Sequence, residues 1–307
     1  MGELRFDGRV AVVTGGGRGL GRAYARLLGA RGAKVVVNDP GTGIAGDGVD
    51  KGPAESVVAE IRAAGGDAVA SLDSVATKQG GEAIVAQALD AYGRVDIVIC
   101  NAGNVRYGSL LDIPYDDFRA VLDVHLLGTY HVVRPAFPHL CRQKYGRIVL
   151  TSSIGGIYGT KNIVNYGVSK AGILGLNNVA AIEGAEFNVK SNAILPGAVT
   201  RMADGLDTSQ YPPMEPELVA PVVGWLSHEK CSISGEMLVS MAGRVSRVYV
   251  GETEGVFRPD WTIENVAEAI GAVRAMDRPW VFPAGEGYMQ HLQQSFAFAV
   301  EGAKKVR

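Results

Sequence analysis

Apolar and polar positions follow two distinct patterns along most of the chain. Short runs rich in Val and Ile predict buried strands at residues 9–14, 34–38, 67–71, 95–100, 146–152 and 189–195, with a seventh candidate at 235–241. Apolar residues at helical spacing predict helices at residues 20–31, 54–64, 78–92, 115–142 and 166–187. This alternation predicts an α/β fold, in which a doubly wound parallel sheet of about seven strands carries helices on both faces. Ligands bind beyond the carboxyl ends of the strands in such sheets, so functional residues are expected just after the strands.

Two segments and a tail depart from this alternation. Residues 40–53 are rich in glycine and interrupt the second crossover, which predicts a surface loop. Residues 201–217 hold three prolines and few helix formers, which predicts a mobile flap after the sixth strand. Beyond Gly243 two further helices are predicted, at residues 262–276 and 287–303. We therefore expect a main domain at residues 1–243 and a C-terminal extension at residues 244–307.

Composition and charge exclude several classes of protein. The net charge of −2 gives no general attraction to nucleic acid or to an anionic membrane, and no basic stripe with interleaved aromatic residues is present. No apolar run approaches the ~20 residues that span a bilayer, and the N-terminus does not resemble a signal peptide. The three cysteines lie far apart, and His131, His139, His228 and His291 have no carboxylate or cysteine partners at ligand spacing, so we predict no metal. The same cysteine usage predicts a reducing, cytoplasmic location.

A glycine-rich turn follows the first predicted strand, with the sequence Thr-Gly-Gly-Gly-Arg-Gly-Leu-Gly at residues 14–21. A strand, a glycine turn and a helix N-terminus together make an anion site from backbone N–H groups. Asp39 ends the second strand, where an acid can accept hydrogen bonds from adenosine ribose hydroxyls and repels a 2′-phosphate. Arg18 instead favours NADP, because a basic residue in the loop could hold that phosphate. We favour NAD over NADP, because like charges in a low-dielectric crevice are costly. The predicted cofactor contacts in this region are Gly15, Gly17, Arg18, Gly19, Leu20, Gly21 and Asp39.

Tyr166 and Lys170 are four residues apart in a predicted helix and therefore share one face. A cation beside a phenol favours the phenolate, which would make Tyr166 a candidate general acid/base for an alcohol or a carbonyl. An ordinary helix with a surface lysine is the alternative for this pattern alone. Ser153 follows the fifth strand, 13 residues before Tyr166.

Taken in order, these motifs resemble the short-chain dehydrogenase/reductase family. The likeness rests on the glycine loop, on Asn-Ala-Gly at residues 101–103 after the fourth strand, on Ser153 and on the Tyr166–Lys170 pair. It implies a Rossmann-like fold and hydride transfer between a nicotinamide and a secondary alcohol or ketone. It also implies that Tyr166 moves the proton, that Lys170 lowers the phenol pKa and holds the nicotinamide ribose, and that Ser153 orients the substrate oxygen. Further cofactor contacts implied by the family are Asp73, Ser74, Val75, Asn101, Ala102, Gly103, Pro196, Gly197 and Val199.

A narrower resemblance concerns the (3R)-hydroxyacyl-CoA dehydrogenase units of type 2 peroxisomal multifunctional enzymes, also called 17β-hydroxysteroid dehydrogenase type 4. It rests on segments that include residues 36–39, 144–148, 156–159 and 181–184. It implies oxidation of a (3R)-3-hydroxyacyl-CoA to a 3-oxoacyl-CoA. CoA phosphates require basic partners, for which the candidates are Lys161, Arg201, Lys230, Arg244 and Arg247. The alternative substrate is a sterol, terpenoid or other hydrophobic alcohol without CoA. A non-enzymatic cofactor-bound scaffold is opposed by the intact Ser153, Tyr166 and Lys170.

One position departs from the broad family pattern. His125 stands where the family has a helical Asn that holds a water in the proton relay. The histidine could be tolerated because a backbone carbonyl holds the water, could titrate and join the relay, or could be a satisfied core residue. The helices at residues 115–142 and 166–187 carry more apolar surface than one sheet face needs, which predicts a homodimer. The resemblance implies a dimer contact through these helices. The C-terminal extension is expected to pack near the substrate pocket or to block a second interface, which favours a dimer over a tetramer.

Overall fold

The computed structural model describes residues 2–200 and 210–306, and its central element is one eight-stranded sheet with the order β3-β2-β1-β4-β5-β6-β7-β8. The strand pairs described from β1 to β7 are all parallel. The strands are β1 Val10–Thr14, β2 Lys34–Asn38, β3 Asp67–Ser71, β4 Ile97–Cys100, β5 Gly146–Thr151, β6 Val189–Gly197, β7 Met237–Met241 and β8 Arg244–Val248. The predicted doubly wound α/β architecture is thereby confirmed.

Helices cover both faces of this sheet. They are α1 Gly19–Ala30, α2 Gly52–Ala63, α3 Lys78–Tyr92, α4 Tyr115–Leu122, α5 Gly128–Arg142, α6 Val164–Gly184 and α7 Ala220–Ser227. Two apolar clusters result: α1, α2 and α7 pack on one face, and α3, α5 and α6 pack on the other. Neighbouring residues of β1 belong to opposite clusters, with Val12 in one and Val13 in the other. Burial on both sides explains why the strands are continuous apolar runs.

The strand order reverses between β1 and β4, and this switch positions the site. β2 and β3 lie to one side of β1, whereas β4, β5 and β6 follow on the other side. Thr14 pairs with Asn38, and Val13 pairs with Ile99, so the ends of β1, β2 and β4 meet at the same edge. The loops that leave these strands diverge and form a crevice there.

Three elements differ from the sequence predictions. The helix predicted over residues 115–142 is divided by a π-helical turn at Asp123–Leu127. Helix α7 was not predicted, because its apolar sequence has no polar face to reveal a helical period. Strand β8 was also missed, and it follows β7 through Ala242 and Gly243, whose φ angles of 49° and 76° suit a type I′ hairpin turn. The predicted flap at residues 201–217 lies largely outside the described residues, and residues 216–218 form a short 3₁₀ turn.

The chain divides into two compact units, Met1–Arg247 and Val248–Arg307. The second unit contains the antiparallel strands β9 Gly251–Glu252 and β10 Trp280–Val281, with helices α8 Ile263–Val273 and α9 Gly287–Val306. Both helices predicted beyond Gly243 are present. The boundary predicted after residue 243, and the place of the extension near the pocket, stay predictions. Among the described residues no helix is long and apolar enough to cross a membrane.

Candidate active site

A cleft of about 330 Å³ lies at the carboxyl ends of the strands. The predicted site residues that line it come from the loops after β1 to β4, the first turn of α1, the end of β6, the π-helical turn and α6. They are Gly15, Arg18, Gly19, Leu20, Asp39, Ser74, Val75, Asn101, Ala102, Gly103, His125, Tyr166, Lys170 and Pro196. The topology therefore gathers most of the predicted site into one cavity.

Other predicted residues lie outside the lining, and the lining holds residues that the sequence did not indicate. Those outside the lining are Gly17, Gly21, Asp73, Ser153, Gly197 and Val199. Ser152, which the 13-residue spacing sets aside in favour of Ser153, also lines the cleft. The unforeseen lining residues are Asn38, Pro40, Thr42, Gly46, Ala76, Asn104, Val124, Thr151, Ala198 and Thr200. Three of these, Pro40, Thr42 and Gly46, belong to the loop that was predicted only as surface. No chemical motif marks them, because they reach the cleft through the course of the backbone.

The glycine turn after β1 leaves the N-terminus of α1 open toward the cleft. No described side chain caps this helix, and its first turn has no acidic residue, so its N–H groups and dipole can receive an anion. Gly15 and Gly19 adopt φ angles of 62° and 50°, which favour glycine. Asn101 braces the turn, because its side-chain amide donates to the carbonyls of Thr14 (3.2 Å) and Gly15 (3.1 Å). This amide, which we expected to contact a cofactor, is thus committed to holding the loop.

Asp39 and Arg18 both have fixed partners at the β2 side of the cleft. Asp39 accepts the N–H groups of Gly17 (3.0 Å) and Gly41 (2.8 Å) through its two carboxylate oxygens. Arg18 donates to the Thr42 carbonyl (3.2 Å) and pairs with Asp50 at 3.6 Å. The acid is therefore held against the glycine turn, while the guanidinium is engaged by the loop after β2.

Tyr166 and Lys170 lie one turn apart on α6. The Lys170 ammonium is buried, lies over the Tyr166 ring at 5.5 Å from its centroid, and donates a 2.5 Å hydrogen bond to the Thr151 carbonyl. Burial lowers the pKa of Lys170 to about 7. Burial also raises the pKa of Tyr166, and hydrogen bonding with Ser153 opposes that rise. The expected lowering of the Tyr166 pKa by Lys170 stays a prediction.

The two serines at the end of β5 have different partners. Ser152 is buried and donates to the Lys170 carbonyl at 2.7 Å, so its hydroxyl joins β5 to α6. The Ser153 hydroxyl accepts the Gly155 N–H at 3.0 Å and begins the short 3₁₀ turn Ile154–Gly156. Its contact with Tyr166 makes Ser153 the better candidate for orienting a substrate oxygen, in agreement with the 13-residue spacing.

His125 lies buried in the π-helical turn, next to Tyr166. The two rings meet edge to face, with centroids 5.3 Å apart. Nε2 lies 2.8 Å from the carbonyl oxygen and 3.1 Å from the amide nitrogen of Asn104, so either neutral tautomer makes one hydrogen bond. Among the described residues, Nδ1 has no hydrogen-bond partner. Burial lowers the pKa of His125 to about 3, which favours the two interpretations in which the ring does not titrate.

Basic and metal-ligating groups add little to the cleft. Lys161, Lys230 and Arg244 are exposed, Arg247 forms an ion pair with Glu236 at 3.2 Å, and Arg201 lies outside the described residues. Within residues 2–200 and 210–306, no cluster of three or more His, Cys, Asp or Glu side chains could hold a metal ion.

Comparison with known proteins gives several strong matches. Residues 9–210 match the family model described as short chain dehydrogenase. Peroxisomal multifunctional enzyme type 2 of Drosophila melanogaster is 46% identical over 283 residues, which cover 90% of this chain and 47% of the relative. A short-chain type dehydrogenase/reductase of Mycobacterium tuberculosis is 45% identical over 84% of this chain and 91% of the relative. The solved structure of the full-length Drosophila enzyme has a TM-score of 0.79 at 37% identity and covers 99% of this chain and 51% of that one. The chain thus spans about half the length of the Drosophila enzyme.

Proposed function

The chain belongs to the short-chain dehydrogenase family, and from that membership we propose that it oxidises (3R)-3-hydroxyacyl-CoA thioesters to 3-oxoacyl-CoA with NAD. The family predicted from the motifs is confirmed, and an oxidoreductase that acts on CH–OH groups follows from it. The proposal is carried by one observation: Tyr166 and Lys170 line the same cleft as the glycine turn, with Ser153 against the phenol. The 46% identity to a multifunctional enzyme of type 2 supports the choice of substrate.

The residues of the cleft fit a nicotinamide dinucleotide. The uncapped N-terminus of α1 suits a pyrophosphate, and Asp39 suits the adenosine ribose. Several buried polar atoms of cleft residues have no partner among the described residues: Asn38 Oδ1, Asn104 Oδ1, His125 Nδ1 and Thr151 Oγ1. Such atoms are costly unless a ligand or water satisfies them. When bound, the nicotinamide supplies the hydride acceptor or donor for the reaction.

The proposed proton transfer uses the phenol of Tyr166. In oxidation the phenolate takes the hydroxyl proton of the substrate, and in reduction the phenol returns a proton to the carbonyl oxygen. Ser153 holds this oxygen by a hydrogen bond and orients the carbon that exchanges hydride. Lys170 lies over the ring and, through its bond to Thr151, stays fixed to the end of β5; in its protonated form it places a positive charge beside the phenol. His125 packs against the ring as a neutral support.

We propose NAD rather than NADP because of the two charged groups at the ribose end. The Asp39 carboxylate would oppose a 2′-phosphate, since like charges repel strongly where water is scarce. Arg18, the residue that could have favoured NADP, is engaged by Thr42 and Asp50. This arrangement supports Asp39 as the residue that decides between the two cofactors.

Dimerisation and location are also proposals. Exposed apolar residues on α5 and α6, namely Tyr130, Val168, Val179 and Ile182, support a homodimer through these helices. A sedimentation mass that corresponds to about four chains would contradict a dimer. The three cysteines are free thiols, which supports a reducing compartment and is compatible with the cytoplasm. Fractionation of cells that express the protein would test the location, and recovery in peroxisomes would refute it.

The substrate is tested by following NADH formation with (3R)- and (3S)-3-hydroxyacyl-CoAs of several chain lengths, beside sterols and free secondary alcohols. We expect activity with the (3R) thioesters and at least about 100-fold less with the (3S) series, because a misplaced carbinol loses the aligned geometry. Activity with sterols or free alcohols but not with thioesters would establish the alternative substrate class. Tyr166→Phe is the control for background reduction of NAD.

A further inference from the structure

We propose that Arg106 is a positioning residue for the cofactor and that, together with Arg18, it holds a loop closed across the cofactor cleft. The loop, called the clasp here, comprises residues 40–50 between β2 and α2. The proposal rests on the proposed function, because it assumes a dinucleotide in the cleft. Its starting observation is that Thr42 and Gly46 of the clasp line the cavity together with Lys170 and Asp39.

The clasp is a compact loop with a closed neck. The Asp50 N–H donates to the Pro40 carbonyl at 3.0 Å, so the two ends of the loop meet. Inside the loop, Gly43 donates to the Asp47 carbonyl at 2.7 Å, and Gly46 donates to the Gly43 carbonyl at 3.1 Å. Loops with adjoining ends and internal contacts are compact units, so the clasp is expected to move as one body about its neck.

Two arginines on opposite sides of the cleft hold the clasp. On the β1 side, Arg18 donates to the Thr42 carbonyl at 3.2 Å and pairs with Asp50. On the β4 side, Arg106 Nε donates to the Ala45 carbonyl at 3.0 Å. The N–H of Val105, the residue before Arg106, also donates to the clasp, to the Ile44 carbonyl at 2.9 Å. The clasp therefore bridges the two loops between which a dinucleotide would lie.

Close packing of Gly46 in the clasp against Asn104 supports the contact between the clasp and the loop after β4. Gly46 has a φ of 91°, and a Cβ atom there would lie 2.8 Å from Asn104 Nδ2. Only glycine permits both this backbone conformation and this close approach. The Asn104 N–H in turn bonds to His125, whose ring contacts Tyr166. Gly46 therefore packs against the side of the cleft that holds the proposed catalytic tyrosine.

Arg106 is itself fixed by α4 and contacts α6 through its backbone. Its guanidinium pairs with Asp117 at 2.7 Å, which leaves Nε directed at the clasp. Its carbonyl accepts a 2.9 Å hydrogen bond from Asn165, the residue before Tyr166. A change at the Arg106 side chain thus removes the side-chain bond to the clasp and leaves this backbone bond, and the backbone bond from Val105 to Ile44, in place. We infer that it alters release of the cofactor without altering the chemical step.

The test measures cofactor release from Arg106→Ala in the full-length protein. Stopped-flow displacement followed by NADH fluorescence gives the dissociation rate constant, and hydrogen exchange reports the amides of residues 40–50 and 104–106. We expect release at least about fivefold faster than in wild type, because a charged hydrogen bond that holds the clasp is lost. We also expect faster exchange at those amides and an unchanged single-turnover rate at saturating cofactor. Arg119→Ala removes an ion pair between α4 and Asp123, the first residue of the π-helical turn, and serves as the matched control with wild-type release.

Gly46→Ala gives a second perturbation that leaves Arg106 in place, and it is expected to speed release as well. The proposal is overturned if both variants release NADH and exchange these amides at the wild-type rate. Binding of NADH and NADPH to the wild-type protein is measured first. If neither binds, the proposed function fails, whereas normal binding with unchanged release in both variants refutes the clasp alone.

Discussion

Substitution of Asn165 tests how α6, the helix that carries Tyr166, is held in place. Its side chain is fully buried, and its Oδ1 accepts the Tyr166 N–H at 2.8 Å. Its Nδ2 donates to the carbonyls of Arg106 (2.9 Å) and Asp117 (3.2 Å). Asn165→Ala loses three hydrogen bonds and leaves three main-chain groups without their partner. At about 1 kcal/mol for each bond, we expect a loss of about 3 kcal/mol in the free energy of unfolding.

The assays are thermal unfolding followed by circular dichroism and steady-state kinetics on the substrate that the screen identifies. A loss of this size lowers Tm by about 8 °C in a domain of this size. We expect kcat to fall about tenfold, because Tyr166 no longer has a fixed backbone position. Asn177→Ala is the matched control, since Asn177 is equally buried on α6 but bonds only to Ser191 among the described residues, at 2.9 Å. It should cost about 1 kcal/mol and leave kcat unchanged. Equal costs for the two variants, with wild-type kcat in both, would refute the reasoning.

Asn165→Asp sharpens the test through pH. The variant keeps an acceptor for the Tyr166 N–H but, when ionised, directs its second oxygen at two carbonyls. The folded protein should therefore favour the protonated acid and raise its pKa above the unfolded value. Stability relative to wild type is then highest at low pH and falls as pH rises through the folded pKa. A difference in Tm from wild type that stays constant between pH 5 and pH 8 would contradict this.

Four further outcomes follow from the site. Tyr166→Phe should lower kcat by about 10³-fold while NADH still binds, as kinetics and fluorescence would show; a smaller loss than tenfold would exclude Tyr166 as the acid/base. Because the pKa of His125 lies at about 3, its NMR signals should not titrate between pH 5 and 8, and His125→Ala should retain at least about a tenth of kcat. Asp39→Asn should lower the ratio of kcat/KM for NAD over NADP at least about tenfold, measured with both cofactors, because the charge that opposes a 2′-phosphate is gone. Burial lowers the pKa of Lys170 from 10.5 to about 7 on folding. Between these two pH values the unfolded chain binds one more proton than the folded protein, so wild-type stability rises with pH over this range. Lys170→Met should therefore gain stability at pH 6, and the gain should shrink between pH 7 and 10, as thermal unfolding would show.

The strands and the glycine turn could be predicted because their signals are local. β2 and β3 coincide with the predicted residues. In β2 the run Val35, Val36 and Val37 is fully buried, and burial on both faces favours such an unbroken apolar run. The π-helical turn could not be predicted, because residues 115–142 show a helical period on both sides of it. Helix α7, buried and uniformly apolar, gives no period at all.

The parts of the site that escaped prediction depend on contacts between distant backbone atoms. Arg18 could be assigned to a phosphate or to a protein group only once the Thr42 carbonyl was located. Likewise, nothing in the sequence connects Arg106 with Ala45, which lies 61 positions away. The burial that neutralises His125 comes from tertiary packing, so its three interpretations could not be separated by motif alone.

The reciprocal bonds between the end of β5 and α6 bear on how this enzyme could be redesigned. Lys170 is fastened to Thr151 by its side chain and to Ser152 by its carbonyl, so both contacts lie at the edge of the sheet core. Residues 154–163, which leave the same strand, do not share either bond, but Gly155 donates to the Ser153 hydroxyl and Gly156 packs directly against the backbone of Lys170. A redesign of this segment that keeps the proton-transfer groups aligned therefore has to retain residues 154–156 and confine its changes to the residues that follow them.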